Sequence, residues 1–152
     1  MAGRAGGSLA LPFAFWDASA LVPLCVEQSN TPGVATLYAS YRVVIWWATP
    51  VEIASALARL VRTGEISSNE RAKARRVATT LGGDWSVVQP SNILRRQAAQ
   101  LVEHYDLKAA DAMQLAAALD WCEDSPHGEI FLTADQKLRE AALLSGFDAK
   151  AL

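Results

Sequence analysis

The chain has 152 residues, of which 51% are hydrophobic and 20% charged. This composition excludes an extended disordered chain and suits one domain built around one core. A formal net charge of −2 excludes a global basic field, so any contact with nucleic acid must use a local patch.

Residues 1–11 read as a flexible leader ahead of a domain spanning 12–152. Arg4, the run LALPFAFW and Ala18-Ser19-Ala20 together mimic a secretory signal with a small-residue cleavage site. The run is short and carries Pro12, and Asp17 stands where such a site should be neutral, so a buried first strand is the better reading. No apolar run approaches transmembrane length, and a cytoplasmic location is expected. Cys25 and Cys122 lie in helix-like apolar contexts and are expected as buried thiols without a disulfide.

Phe13 to Trp16 has the apolar character of a buried strand. Ala18 to Gln28 follows as a helix disturbed by Pro23. Thr31-Pro32 opens a second helix reaching about Tyr41, with proline at the first helical position. Val43 to Trp47, β-branched and aromatic, predicts a second strand, with Trp46 and Trp47 in the core or flanking the sheet rather than stacking on bases. A helix opens at Thr49-Pro50, carries an apolar stripe at Ile53, Ala56, Leu57, Leu60 and Val61, and stops at Gly64. Ser67 and Glu70 form a capping-box pattern before a helix to Leu81, broken by Gly82-Gly83.

Trp85 to Val88 is a third strand. Pro90-Ser91 introduces a helix with Leu94, Ala98, Leu101, Val102 and Tyr105 on one side. Another helix runs from Lys108 to about Trp121. Ile130 to Thr133 is a fourth strand, and Gln136 to Leu144 is a last helix stopped by Gly146. Phe147 opens a short edge strand. Strands that are apolar throughout and alternate with helices define an α/β domain, a parallel sheet of four to five strands covered on both faces.

Four acids interrupt this apolar pattern: Asp17, Glu52, Asp111 and Asp135. Each falls just past a strand or in the first turn of a helix, and parallel sheets gather ligands beyond the carboxyl ends of their strands. Helix starts also favour ionised carboxylates. Taken singly, Glu52 reads as the acid of a capping box begun by Thr49, and Asp135 as an ordinary helix-start acid. Asp17 and Asp111 resist such explanations, because a carboxylate in a packed apolar stretch is costly unless something compensates it. Four carboxylates at one edge would repel one another, and a divalent cation is the usual remedy.

The segments WDASALVPL, TPVEIASALARL, LKAADAMQLAAAL and FLTADQKLREAALLSGF, in that order, resemble PIN-domain proteins, more narrowly the VapC-type toxin ribonucleases of toxin–antitoxin systems. They span nearly the whole chain beyond the leader. The resemblance implies a pocket binding Mg²⁺ or Mn²⁺ through Asp17, Glu52, Asp111 and Asp135, supported by Ser19 and Thr133. It also implies hydrolysis of RNA, a cognate antitoxin bound through a groove between early helices, and a homodimer. Ser19 reads equally as a helix cap. Positive charge for RNA is sought on Arg71, Lys73, Arg75 and Arg76, on Arg59 and Arg62, and more weakly on Arg95 and Arg96. His104 and His127 are expected on the surface. Competing readings are a PIN-like interaction module without catalysis, or an aspartate-based phosphotransfer protein. The haloacid-dehalogenase version of the latter expects a second Asp where this chain has Ser19.

Overall fold

The structure, a computed structural model, describes residues 10–152. The expected leader therefore lies outside the described residues as far as residue 9. Leu11 already accepts a hydrogen bond from Arg42 Nε at 3.0 Å.

Five strands form one parallel sheet: β1 (Phe13–Trp16), β2 (Arg42–Trp46), β3 (Ser86–Val88), β4 (Ile130–Leu132) and β5 (Asp148–Lys150). Seven helices connect them among the described residues: α1 (Ala18–Cys25), α2 (Thr31–Ser40), α3 (Thr49–Arg62), α4 (Ser68–Gly82), α5 (Asn92–His104), α6 (Ala109–Trp121) and α7 (Gln136–Ser145). None of them is long and apolar enough to cross a membrane.

Side chains alternate across the sheet. Ala14, Trp16, Val43, Ile45 and Leu132 pack with α1–α4, whereas Phe15, Val44, Trp46, Phe131 and Ala149 pack with α5–α7. Both faces are thus buried, and this is why the strands read as unbroken apolar runs.

The strand order β3-β2-β1-β4-β5 positions the site. The chain builds outward from β1 to β3, then returns to lay β4 on the other side of β1. Beyond this pair the chain leaves in opposite directions, α1 to one face and α7 to the other. Such a reversal opens a crevice at the carboxyl ends of the two strands. The register pairs Trp16 with Leu132, and Asp17 N–H donates to Leu132 O at 3.0 Å, so Asp17 and Thr133 leave the sheet side by side.

Local signals placed most boundaries. Ser67 and Glu70 form the full capping box, and Gly64 and Gly146 take positive φ just beyond α3 and α7, where a Cβ would be strained. The differences have physical causes. Helix α1 stops at Cys25 instead of Gln28, because Val26 turns extended two residues after Leu24. The second strand ends at Trp46, and Trp47 is 56% exposed, against the expected core position. Trp85 precedes β3 instead of opening it and donates from Nε1 to Tyr38 Oη at 3.1 Å. Phe147 lies one residue before β5, with its ring buried in the core. Cys25 and Cys122 are free thiols, half-buried rather than buried; burial pushes Cys25 up to about 11.

Candidate active site

Asp17 is 4% exposed. Two hydroxyls converge on its Oδ2: Ser19 Oγ donates at 2.5 Å and Thr133 Oγ1 at 2.9 Å. Backbone amides set both hydroxyls. Ala134 N–H donates to Ser19 Oγ at 2.9 Å, and Asp135 N–H donates to Thr133 Oγ1 at 3.0 Å. A hydroxyl has one proton, and here both protons are directed to Asp17. The 3.2 Å approach of Ser19 Oγ to Thr133 Oγ1 therefore carries no proton of its own. Burial raises the Asp17 pKa above the ordinary carboxylate value, and the hydroxyl bonds oppose that rise. This cradle ties the end of β1 to the end of β4 and is the work of Ser19 and Thr133 together; Ser19 is not a simple helix cap.

Glu52 enters from the first turn of α3. Its capping-box explanation fails in the structure: Ala48 is the N-cap residue and no side chain caps this helix. Glu52 Oε2 instead accepts from Gln114 Nε2 at 2.6 Å, and the same nitrogen donates to Thr49 Oγ1 at 3.1 Å. Gln114 is wholly buried, and its Oε1 has no protein partner. Sequence reasoning missed this residue. The available signal was a glutamine three positions after Asp111, hence on the same side of an otherwise apolar helix.

Asp111 sits half-buried in the first turn of α6. Asp135 is exposed and is the N-cap of α7, its Oδ1 accepting from Leu138 N–H at 2.8 Å. Here the helix-start explanation holds in the structure. Repulsion among these acids acts on Glu52 and Asp111. Burial pushes Glu52 up to about 7, with Asp17 and then Asp111 adding repulsion. Burial pushes Asp111 up to about 6, with Asp135 and then Asp17 adding repulsion.

Among the described residues no three His, Cys, Asp or Glu side chains stand close enough to enclose a cation. Asp17, Glu52 and Asp135 are each turned toward the partners named above. Their chemistry nonetheless fits a hard divalent cation: the donors are all oxygen, and burial with mutual repulsion leaves negative charge that a cation would neutralise.

The basic residues are unevenly placed. Arg59 and Arg62 occupy the last turn of α3, the latter about 15 Å along the axis from Glu52. Lys73, Arg75 and Arg76 are exposed on α4, where Arg71 is half-buried. Arg95, near the start of α5, borders a groove shared with Trp46, Trp47 and Met113. His104 and His127 are exposed.

A parallel sheet whose switch point brings a buried aspartate beside a hydroxyl cradle, with Glu52 and Asp111 in its electrostatic reach, defines an α/β domain with acids at the carboxyl ends of its strands. The chain belongs to the PIN domain family, whose model matches residues 14–144. No curated protein matches it. Solved structures of similar fold include a toxin–antitoxin complex from Klebsiella pneumoniae, with 17% identity, a TM-score of 0.59, and coverage of 82% of this chain and 88% of that one. A protein from Pyrobaculum aerophilum is 19% identical with a TM-score of 0.62, covering 94% and 92%. FitAcB from Neisseria gonorrhoeae is 16% identical with a TM-score of 0.60, covering 90% and 97%.

Proposed function

We propose that this chain is a metal-dependent endoribonuclease toxin of the VapC type, restrained by a cognate antitoxin. The observation that carries this reading is the buried Asp17 at the β1–β4 switch point, held by the Ser19 and Thr133 hydroxyls; its charge bears on Glu52 and Asp111. Membership of the PIN domain family supports it, and the toxin–antitoxin complex among the similar folds supports an antitoxin partner.

The four acids would hold Mg²⁺ or Mn²⁺, which when bound lowers the pKa of a coordinated water and offsets charge on the attacked phosphate and the leaving oxygen. Ser19 and Thr133 fix the orientation of Asp17 and favour its anionic form, because each donates to Oδ2. Gln114 does the same for Glu52 across the crevice. Asp111 and the exposed Asp135 form the rim through which an RNA phosphate would enter. Neither histidine serves as a base: His104 ends α5, about 18 Å along that helix from its start, and His127 precedes β4, at the opposite edge of the sheet.

For the antitoxin, a groove of about 780 Å³ lined by Val26, Gln28, Leu60 and Ile66, together with Ala134 and Leu152, would offer a docking surface. The homodimer belongs to this same reading and is checked by light scattering.

The test is cleavage of single-stranded RNA by purified chain free of antitoxin. Mg²⁺ or Mn²⁺ should support cleavage, EDTA should stop it, and Asp17→Asn or Asp111→Asn should each reduce it at least a hundredfold. Cleavage that persists in EDTA and in both variants would overturn the proposal.

A further inference from the structure

The groove bordered by Trp47 and Arg95 has no role in that chemistry. It measures about 440 Å³ and is lined in part by Trp46, Trp47, Ser91, Asn92, Arg95 and Met113. This volume lies in the range of small-molecule sites, roughly 300–1,000 Å³. Trp47 is 56% exposed and is not loose. Its ring meets that of buried Trp46 edge-on, with centroids 6.4 Å apart, and its backbone N–H donates to Val88 O at 3.1 Å.

We infer that this groove holds a single unstacked base of an RNA strand whose backbone runs into the acidic crevice, with Trp47 as the stacking face and Arg95 on a phosphate. The inference rests on the nuclease reading above and deepens it by naming where substrate sits beyond the acids. Three observations support it. First, the groove shares elements of the fold with the acids. Met113 lies between Asp111 and Gln114 on α6, and Thr49, two residues after Trp47, is bonded to Gln114 at 3.1 Å. Second, the groove pairs an aromatic face with a cation, the combination that single-stranded nucleic acid recognition uses. Arg95 is exposed and makes no ion pair among the described residues. Third, the overall charge of −2 demands a local site for phosphate; Arg95 is the cation lining this groove, and Lys108 acts on Asp111, while Arg59 and Arg62 sit at the far end of α3.

A second copy of this chain is the competing occupant, since exposed Ile93 stands on α5 with the groove residues Asn92 and Arg95. It is separated by the test.

The assay measures binding of a fluorescein-labelled, mixed-sequence single-stranded RNA hexamer to full-length protein in EDTA by anisotropy, with molar mass from light scattering on the same samples. Trp47→Ala should weaken binding about 5- to 100-fold, and Trp47→Phe should restore most of it. Arg95→Ala should weaken binding and lower the salt slope by about one phosphate contact. The mass should not change in any variant. Full affinity in Trp47→Ala overturns the inference while leaving the nuclease reading intact. A fall in mass with RNA affinity retained assigns the groove to a second copy and also overturns it. Failure of the unaltered chain to bind RNA also overturns the inference, while the nuclease reading stands or falls on the separate Mg²⁺-dependent cleavage assay.

Discussion

Replacing Glu52 by Gln should stabilise the metal-free protein at alkaline pH and destroy its response to divalent cations. Burial, then repulsion from Asp17 and Asp111, lifts Glu52 from 4.5 to about 7 in the folded state. A raised carboxyl binds its proton more tightly folded than unfolded. Stability therefore falls as pH rises from about 4.5 through about 7, and the loss is complete above that window. A lift of this size corresponds to about 3 kcal/mol if fully expressed. Glu52 is only half-buried, water screens part of the cost, and about 1 kcal/mol is the expected remainder. Gln at this position carries no charge and still offers an oxygen to Gln114. For a chain of this length, 1 kcal/mol moves the melting temperature by about 2–4 °C. Thermal unfolding in EDTA should thus show Glu52→Gln melting about 2–4 °C higher than the parent at pH 8, with the gap closing toward pH 4.5. Adding millimolar Mg²⁺ should reverse the order at pH 8, because a bound cation stabilises only the protein that can hold it. A gap that is independent of pH, or a variant that melts lower at pH 8 in EDTA, would refute the reasoning.

Thr133→Val removes one hydroxyl from Asp17 and leaves the Asp135 amide without its acceptor; urea denaturation should show a loss of about 1–3 kcal/mol, with weaker Mn²⁺ binding by titration calorimetry. Gln114→Leu keeps volume but deletes the donor to Glu52, so half-saturation with Mn²⁺ should need several-fold more metal while chemical denaturation shifts far less. Leu115→Ala, at a fully buried position of α6, should cost about 2–5 kcal/mol in the same denaturation assay. Ser67→Ala breaks the exposed capping box of α4 and should cost about 1 kcal/mol without altering RNA cleavage.

Much of the site could be read one residue at a time. Asp17 and Asp111 announced themselves because a carboxylate inside FWDASALV or LKAADAMQL has no cheap local explanation. Glu52 and Asp135 did not, since each has an ordinary helix-start role available. The structure divides them: Asp135 does cap α7, while Glu52 reaches across to Gln114 and caps nothing. Gln114 and Thr49 were invisible for the same reason. Their significance is a contact between residues 65 positions apart, and no local pattern encodes that. Trp47 was misplaced because β-branched and aromatic residues mark a strand without marking its last position, and one residue beyond the strand end the ring faces solvent.

The sequence by itself determined the elements, their order and the parallel α/β class. Proline starts, the Ser67–Glu70 box, positive-φ glycines and unbroken apolar strands are local properties, each expressed within a few residues of where it is written. Only the tertiary structure decided that β4 lies against β1, that Asp17 therefore takes one of its two hydroxyls from the far end of the chain, and that α3 and α6, packed on opposite faces, join at Gln114 over the strand ends. The physical reason is distance along the chain. Strand order and the meeting of α3 with α6 are set by burying both faces of one sheet at once, a constraint on the whole molecule that no single segment carries.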